Sequence, residues 1–271
     1  MADCDVNVGI PALGLKTVCL VTGASRGIGQ EIVKQLSGRL GPGSVLILHA
    51  RSAANLASTL EFVRTNSTGV AVTEWCADLS HASAVSSLKS VLDNATKHHG
   101  PFQCSILIHN AGTIGDPSKK ALDYSNHAEL VQHLEINVVS MILLTRAFVE
   151  AVETSVVTGP KLKFVINISS LYGISGAPGF SLYCASKHCR EGFLKALALE
   201  YPEIRVLNYA PGMIRTDMLQ TVIDNIWNES IRDYASKNEH AVPVEKTVAK
   251  FLSLLHSNSF ESGVHLDYYD A

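Results

Sequence analysis

The chain has 271 residues, of which 46% are hydrophobic and 17% charged, enough for one large α/β domain or two small ones. Its formal net charge of -3 argues against a nucleic-acid binder, which would carry a basic face, and no apolar run reaches membrane-spanning length. The six cysteines (Cys4, Cys19, Cys76, Cys104, Cys184, Cys189) form no Cys-x-x-Cys pair, and several lie in apolar runs, so they read as reduced thiols of a cytosolic protein.

Met1 to Leu15 carries Asp3 and Asp5 instead of the basic and apolar regions of a signal peptide, and with Gly9, Pro11 and Gly14 it reads as a loose extension. Val18-Cys19-Leu20-Val21 then reads as a buried strand, and Gln30 to Leu36 as a helix with Ile32, Val33 and Leu36 facing inward. Between them stands Thr22-Gly23-Ala24-Ser25-Arg26-Gly27-Ile28-Gly29. Glycines at a strand-to-helix turn let the backbone approach phosphate oxygens, and the helix N-terminus favours negative charge. That is where a dinucleotide pyrophosphate binds; an ordinary Gly-rich turn is the plainer alternative. Ser44 to Ala50 is a second buried strand ending at Arg51-Ser52. In dinucleotide folds this strand end meets the adenosine ribose, where an acid favours NAD and an arginine accommodates the 2′-phosphate of NADP. Arg51 here and Arg26 in the nearby glycine loop favour NADP, although either alone would read as a surface arginine.

A helix around Ala54 to Arg64 precedes a third strand, Val70 to Ala77, ending at Asp78-Leu79. Asp78 can accept a hydrogen bond from the adenine amino group, or cap the helix that starts near Ser80. After helical Ala82 to Lys97, the strand Cys104 to His109 ends in Asn110-Ala111-Gly112, small residues against which a nicotinamide ribose can lie. Thr113 to Asn126 is a polar, substrate-side loop. Leu130 to Val152 is a long apolar helix, suited to pairing with its mate in a dimer or to burial within one subunit. Asn137 inside it needs partners. Further on come a strand Lys163 to Ser170, a long helix Ser181 to Glu200 closed by Pro202, and a strand Ile204 to Tyr209 followed by Ala210-Pro211-Gly212. Thr216 to Asn238, with Met218 and Trp227, reads as a mobile helical lid, Val244 to His256 as an amphipathic helix, and Gly263 to Asp267 as the last strand. The alternation never breaks, so residues 16–271 form a single α/β domain: a doubly wound parallel sheet of seven strands with helices on both faces.

Tyr183 and Lys187 are four apart at the start of a helix and share a face, and Ser170 ends the fifth strand at the carboxyl edge, where such sheets bind ligands. A carbonyl reduction needs a hydride donor, a group that polarises the C=O and a proton donor. Tyrosine has a free pKa of about 10; an ammonium on Lys187 and an oxidised nicotinamide would stabilise the phenolate and lower it. Ser170 can bond the carbonyl oxygen, and Asn137 can help to hold a water that re-supplies the proton. Alone, a Tyr-x-x-x-Lys pair reads as a surface pair; with the glycine loop, Asn110-Ala111-Gly112 and Ser170 in this order it reads as a site.

In combination, Thr22-Gly-x-x-x-Gly-x-Gly29, Asn110-Ala111-Gly112, Asn137, Ser170, Tyr183-x-x-x-Lys187 and Pro211-Gly212 resemble the short-chain dehydrogenase/reductase family over nearly the whole chain. One departure is His109, where that family usually has a second Asn, a position that serves the sheet more than the chemistry. The resemblance implies a Rossmann fold and NADPH/NADP+ as cofactor. It places around that cofactor Gly23, Ala24, Ser25, Arg26, Gly27, Ile28, Gly29, Arg51, Ser52, Asp78, Leu79, Asn110, Ala111, Gly112, Tyr183 and Lys187, with Ile214, Arg215, Thr216, Asp217, Met218 and Leu219 wrapped over it. Ser170, Tyr183, Lys187 and Asn137 would carry the catalysis, with no metal. The tail Ser262-Gly-Val-His-Leu-Asp-Tyr-Tyr-Asp270 is similar to the pterin-reducing branch of the family, whose usual relatives end this strand in Val-Asp-Gly-Gly. In that branch an aspartate at the place of Asp267 anchors the substrate, because a carboxylate accepts both the ring N–H and the exocyclic amine of a pterin. Read alone, Asp267 is a satisfied carboxylate near the C-terminus. Ser170, Leu171, Tyr183 and Gly212 would border the substrate. The implied activity is NADPH-dependent reduction of the side-chain carbonyls of a pterin such as 6-pyruvoyl-tetrahydropterin, by a homodimer joined through its two long helices, with no nucleic-acid or membrane partner. A general reductase of diketones, quinones or steroids is the nearest alternative. A non-catalytic NADP-binding sensor would not need Ser170, Tyr183 and Lys187 together.

Overall fold

Val18 and Leu20 are buried on one side of their strand, and Cys19 and Val21 on the other. Burial on both faces at a period of two is what a strand in the middle of a covered parallel sheet requires. The computed structural model describes residues 8–153 and 162–270. Its strands are β1 (Thr17–Val21), β2 (Ser44–Ala50), β3 (Val70–Cys76), β4 (Cys104–His109), β5 (Leu162–Ile168), β6 (Ile204–Ala210) and β7 (Val264–Asp267). They form the parallel seven-stranded sheet that the sequence leads one to expect, in the order β3-β2-β1-β4-β5-β6-β7.

Helices α1 (Gly27–Ser37), α2 (Ala53–Asn66), α3 (Ser83–His99), α4 (His127–Leu134), α5 (Ser140–Glu153), α6 (Ser181–Glu200), α7 (Asp217–Asn225), α8 (Glu229–Ser236) and α9 (Val244–Ser257) follow in chain order. One face of the sheet is covered by α1, α2 and α9 through Ile32, Leu36, Leu56, Leu60, Phe251 and Leu255. The other is covered by α3, α5 and α6 through Leu88, Leu92, Leu144, Phe148 and Leu194. Fully burying such a side chain contributes about 2 kcal/mol, so the two layers supply the main driving force. Chain connections run outward in opposite directions from the neighbours β1 and β4, so the carboxyl ends of these two strands flank the crevice in which open sheets of this kind bind ligands.

Four expectations need correction. The extension is tied down at several points of its described part. Gly9 N–H donates to the Asn258 carbonyl (3.0 Å) and Gly14 N–H to that of Arg39 (2.8 Å), and Ala12 is fully buried; residues 1–7 lie outside the described part. The long helix expected over Leu130–Val152 starts at His127, where Asn126 Oδ1 accepts the Ala128 and Glu129 N–H groups. It also contains a wider π turn, Glu135–Val139, centred on Asn137. Asp78 caps no helix: its Oδ1 accepts the backbone N–H (2.9 Å) and hydroxyl (2.8 Å) of Ser80, a local turn two residues long, and α3 begins later without a side-chain cap. Finally, β5 ends at Ile168, so Ser170 heads a short turn, Leu171–Gly173, whose Tyr172 N–H it accepts (3.2 Å).

Candidate active site

The glycine loop leaves β1 at the crevice. Gly23 (φ +68°) and Gly27 (φ +55°) take left-handed conformations that side chains disfavour. At Gly29 a Cβ would stand 2.2 Å from the Gly23 carbonyl oxygen and 2.4 Å from Asn110 Nδ2, so no side chain fits. Asn110 closes the loop against β4: its Nδ2 donates to the carbonyls of Thr22 and Gly23, both at 3.0 Å, and Thr22 Oγ1 accepts the N–H groups of Asn110 and Ala111. From below, His49 Nδ1 accepts the Gly23 N–H (3.3 Å) while its Nε2 donates to the Ala77 carbonyl (3.1 Å). That pattern requires a neutral imidazole, and burial lowers its pKa to about 4. No side chain caps the start of α1, which leaves its first-turn N–H groups for a ligand. A small-residue cradle with open helix N–H groups is what a dinucleotide pyrophosphate needs.

Of the two arginines expected at the 2′-phosphate, Arg26 has an acidic partner on another segment. Arg26 Nη1 is 2.5 Å from Asp217 Oδ2, with both side chains 70% exposed, so the pair bridges the glycine loop to the start of α7. Arg51 stays exposed near Asp78, whose carboxyl is held below its usual range chiefly by the Ser80 bonds, with His81 and Arg51 adding to this. Ser52 precedes α2 with its hydroxyl unused by that helix, and Leu79 is buried. Over the crevice, Thr216 Oγ1 accepts the Leu219 N–H, Arg215 Nη2 donates to the Ser236 carbonyl (3.1 Å), Ile214 is buried beside Val242, and Met218 is exposed. The expected lid is a pair of helices, α7 and α8; Val222 and Ile226 of the α7 end are buried against Phe180, Tyr183 and Cys184.

Tyr183 and Lys187 lie one turn apart on α6, and both are buried. Lys187 Nζ donates to the Ile168 carbonyl (2.6 Å) and stands 5.4 Å from the centre of the Tyr183 ring. Its remaining N–H is left for another acceptor, with one more when the amine is protonated. Here the electrostatics differ from the simple expectation. Burial pushes the Tyr183 phenol up to about 12; the Ser170 hydroxyl and the Arg190 charge pull the other way. Burial, and then Arg190, hold Lys187 well below its ordinary value, so the lysine is a reluctant cation. In this state Tyr183 is a firmly protonated phenol, the form that donates a proton to a carbonyl oxygen. Asn137 is locked in place: Oδ1 accepts the Thr113 N–H (2.8 Å), and Nδ2 reaches the Thr113 carbonyl and His133 Nε2, both at 2.8 Å.

The substrate-side residues lie around this centre. Leu171 is 54% exposed on the turn headed by Ser170. Asp267 ends β7 opposite Ala210, beside Pro211-Gly212. Its Oδ1 accepts the Tyr269 N–H (3.0 Å), and the Tyr269 ring stands 3.5 Å from where a Gly212 Cβ would be. An open cavity of about 410 Å³, lined by Tyr234, His240, Lys246, Tyr268 and Tyr269 among others, lies next to that edge and touches neither Tyr183 nor Lys187.

Four supporting residues escaped the sequence reading: His49, His133, Arg190 and Glu191. The last two had a signal. A charged pair three and four residues after Lys187, on a helix face expected to be buried, is costly unless it has work to do.

A doubly wound sheet, a glycine cradle at the end of β1 and a Ser–Tyr–Lys set at the carboxyl edge define a nicotinamide-dependent oxidoreductase acting on carbonyls. The family model "short chain dehydrogenase" matches residues 17–227, and the chain belongs to that family. The sepiapterin reductase of Rattus norvegicus is 39% identical over 93% of this chain and 96% of its own. That of Xenopus laevis is 34% identical over 96% and 97%. Among solved structures, the angucycline C-6 ketoreductase LanV with bound NADP shares the fold, with a TM-score of 0.74, 21% identity and 93% of each chain covered. The chain is thus a ketone-reducing enzyme of the short-chain family, similar to sepiapterin reductases.

Proposed function

We propose that this enzyme uses NADPH to reduce the side-chain carbonyl of a pterin, as a cytosolic homodimer. The observation that carries the substrate is the likeness to sepiapterin reductases over 93% of this chain, and the sequence of the tail that bears Asp267 resembles that branch as well. When bound, the reduced nicotinamide supplies the hydride to the carbonyl carbon. Gly23 to Gly29 hold the pyrophosphate, Asn110-Ala111-Gly112 and Lys187 the nicotinamide ribose, and Arg51 with Ser52 the 2′-phosphate. Asp267 accepts the ring N–H and amine of the pterin and turns the side chain inward. Ser170 donates a hydrogen bond to the carbonyl oxygen, and Tyr183 hands its phenol proton to the same oxygen, which leaves an alcohol and a phenolate. The apolar residues Val131, Leu134, Val139 and Leu143, all exposed along α4–α5, support the dimer.

The test is loss of the reduced-nicotinamide absorption with sepiapterin as substrate, with NADPH and NADH in parallel. Fast turnover with NADPH and little with NADH is the expected result. Turnover of a simple diketone but none of sepiapterin removes the pterin and leaves a general carbonyl reductase.

A further inference from the structure

Arg190 lies three residues past Lys187, one turn along the same buried face of α6, and is 2% exposed. Its Nε donates to Asn167 Oδ1 (2.8 Å), its Nη2 to the His109 carbonyl (3.0 Å) and its Nη1 to the carbonyls of Asn137 (3.0 Å) and Ala111 (3.4 Å). These acceptors belong to the three segments that border the reacting centre: the end of β4, the π turn with Asn137, and β5 just before Ser169-Ser170. All of them are neutral, and among the described residues no carboxylate pairs with the guanidinium. Burial pushes Arg190 down to about 10, against the opposing influence of Tyr183 and Glu191, so the cation is costly to hold here, and a scaffold needing only hydrogen bonds could use a neutral side chain. The next residue, Glu191, turns its Oε1 to Ser169 Oγ (2.5 Å) and His265 Nδ1 (2.7 Å) and so ties down the turn that carries Ser170.

We propose that Arg190 is a positioning residue of the reductase, a fixed buried positive charge that sets the field in which Tyr183 gives up and regains its proton. The fork bonds fix where that charge sits, and the charge favours the phenolate that forms when the proton leaves. It also discourages a second full cation on Lys187: its pull opposes the rise that burial causes at Tyr183 and adds to the fall that burial causes at Lys187. The titratable groups facing it are Tyr183, Lys187 and Glu191 on α6 and His109 on β4. Beyond Glu191 lie Lys195 and His265, and behind Asn137 lies His133.

The proposal rests on Tyr183 as the proton donor, and a diketone substrate keeps it independent of the pterin. Two readouts are needed on the full-length enzyme with NADP+ or NADPH. One is the ultraviolet titration of the Tyr183 phenolate, taken as the difference from a Tyr183→Phe counterpart. The other is kcat against pH for diketone reduction, whose alkaline limb falls as Tyr183 loses its proton. Arg190→Met should move the phenolate midpoint up by about one pH unit, and the alkaline limb with it. Arg190→Lys keeps the charge and should leave the midpoint near its original place even though kcat drops. Equal losses of kcat in both variants with an unmoved midpoint would overturn the proposal and leave Arg190 a brace. Should Arg190→Met not fold, Asn167→Asp sets a carboxylate against Nε and must raise the midpoint in the same way; an unchanged midpoint there is equally fatal. Retained turnover in Tyr183→Phe is a separate failure, that of the donor assignment.

Discussion

At the scale of single residues, the proposed reaction depends on a weak acid held at the right place. Burial pushes the Tyr183 phenol up to about 12, so across the neutral range it is protonated, as the proposed donor must be. Tyr183→Phe should lower kcat at least about a hundredfold and leave NADPH binding intact; retained turnover in a steady-state assay would remove Tyr183 from the reaction. Asp267 gives one lone-pair site of Oδ1 to its own turn and keeps acceptor capacity on both oxygens for the two pterin donors of the proposal. Asp267→Ala should raise KM for sepiapterin about tenfold or more, with little change for a small diketone. An equal rise for both substrates would mean that Asp267 is no anchor. Tyr183 and Lys187 were legible because their spacing places them on one helix face, and Ser170 because it follows the fifth strand, although it heads a turn and is not the strand's last residue. Arg190 was not, because the carbonyls it binds come from chain segments up to 81 residues away, and no local pattern marks a main-chain acceptor.

Among elements, the run from α4 to α5 shows what periodicity can and cannot say. Its apolar pattern revealed a long helix, but the π turn at Glu135–Val139 left no mark in the hydrophobic spacing. Such a turn inserts one residue into the helical ladder and is frequent at functional sites. Here it swings Asn137 inward, where Thr113 and His133 hold its side chain, while Val131, Leu134, Val139 and Leu143 stay on the outside. If that stripe joins two subunits, Leu143→Glu places a charge in an apolar interface and should shift the protein from dimer to monomer in sedimentation velocity. A monomeric parent protein, or a variant that still sediments as a dimer, sinks the assignment. The strands and most helix ends were legible to within a few residues, because each is bounded by glycine, proline or a change of period. The cap offered as one reading of Asp78 fails because a helix start and an Asx turn share the same residue preference, and here the bonds to Ser80 make it a turn.

The whole molecule carries an acid sensitivity that follows from its buried imidazoles. His49 titrates near 4 in the folded chain and near 6.5 when unfolded. Below pH 6.5 the unfolded state therefore takes up a proton that the folded state refuses, so stability present above that value is lost as pH falls toward 4. For His49 alone the loss amounts to roughly 3 kcal/mol, and burial drives His109 the same way. The urea midpoint should thus fall between pH 6.5 and 4, and fall less in His49→Asn; a flat profile would show that these rings are not held neutral. The doubly wound class was legible from strand–helix alternation alone, whereas the binding of Gly9 and Gly14 to distant loops was not, since that depends on tertiary neighbours. The strand order β3-β2-β1-β4-β5-β6-β7 also bears on synthesis. A nascent chain emerging from the ribosome builds its sheet outward from β1, first to one side and then to the other. Until β4 has emerged, β1 presents a bare edge and the glycine loop lacks Asn110, so the chain becomes competent for nucleotide only in its second phase of growth. A chaperone that shields exposed strand edges would be needed most during that interval.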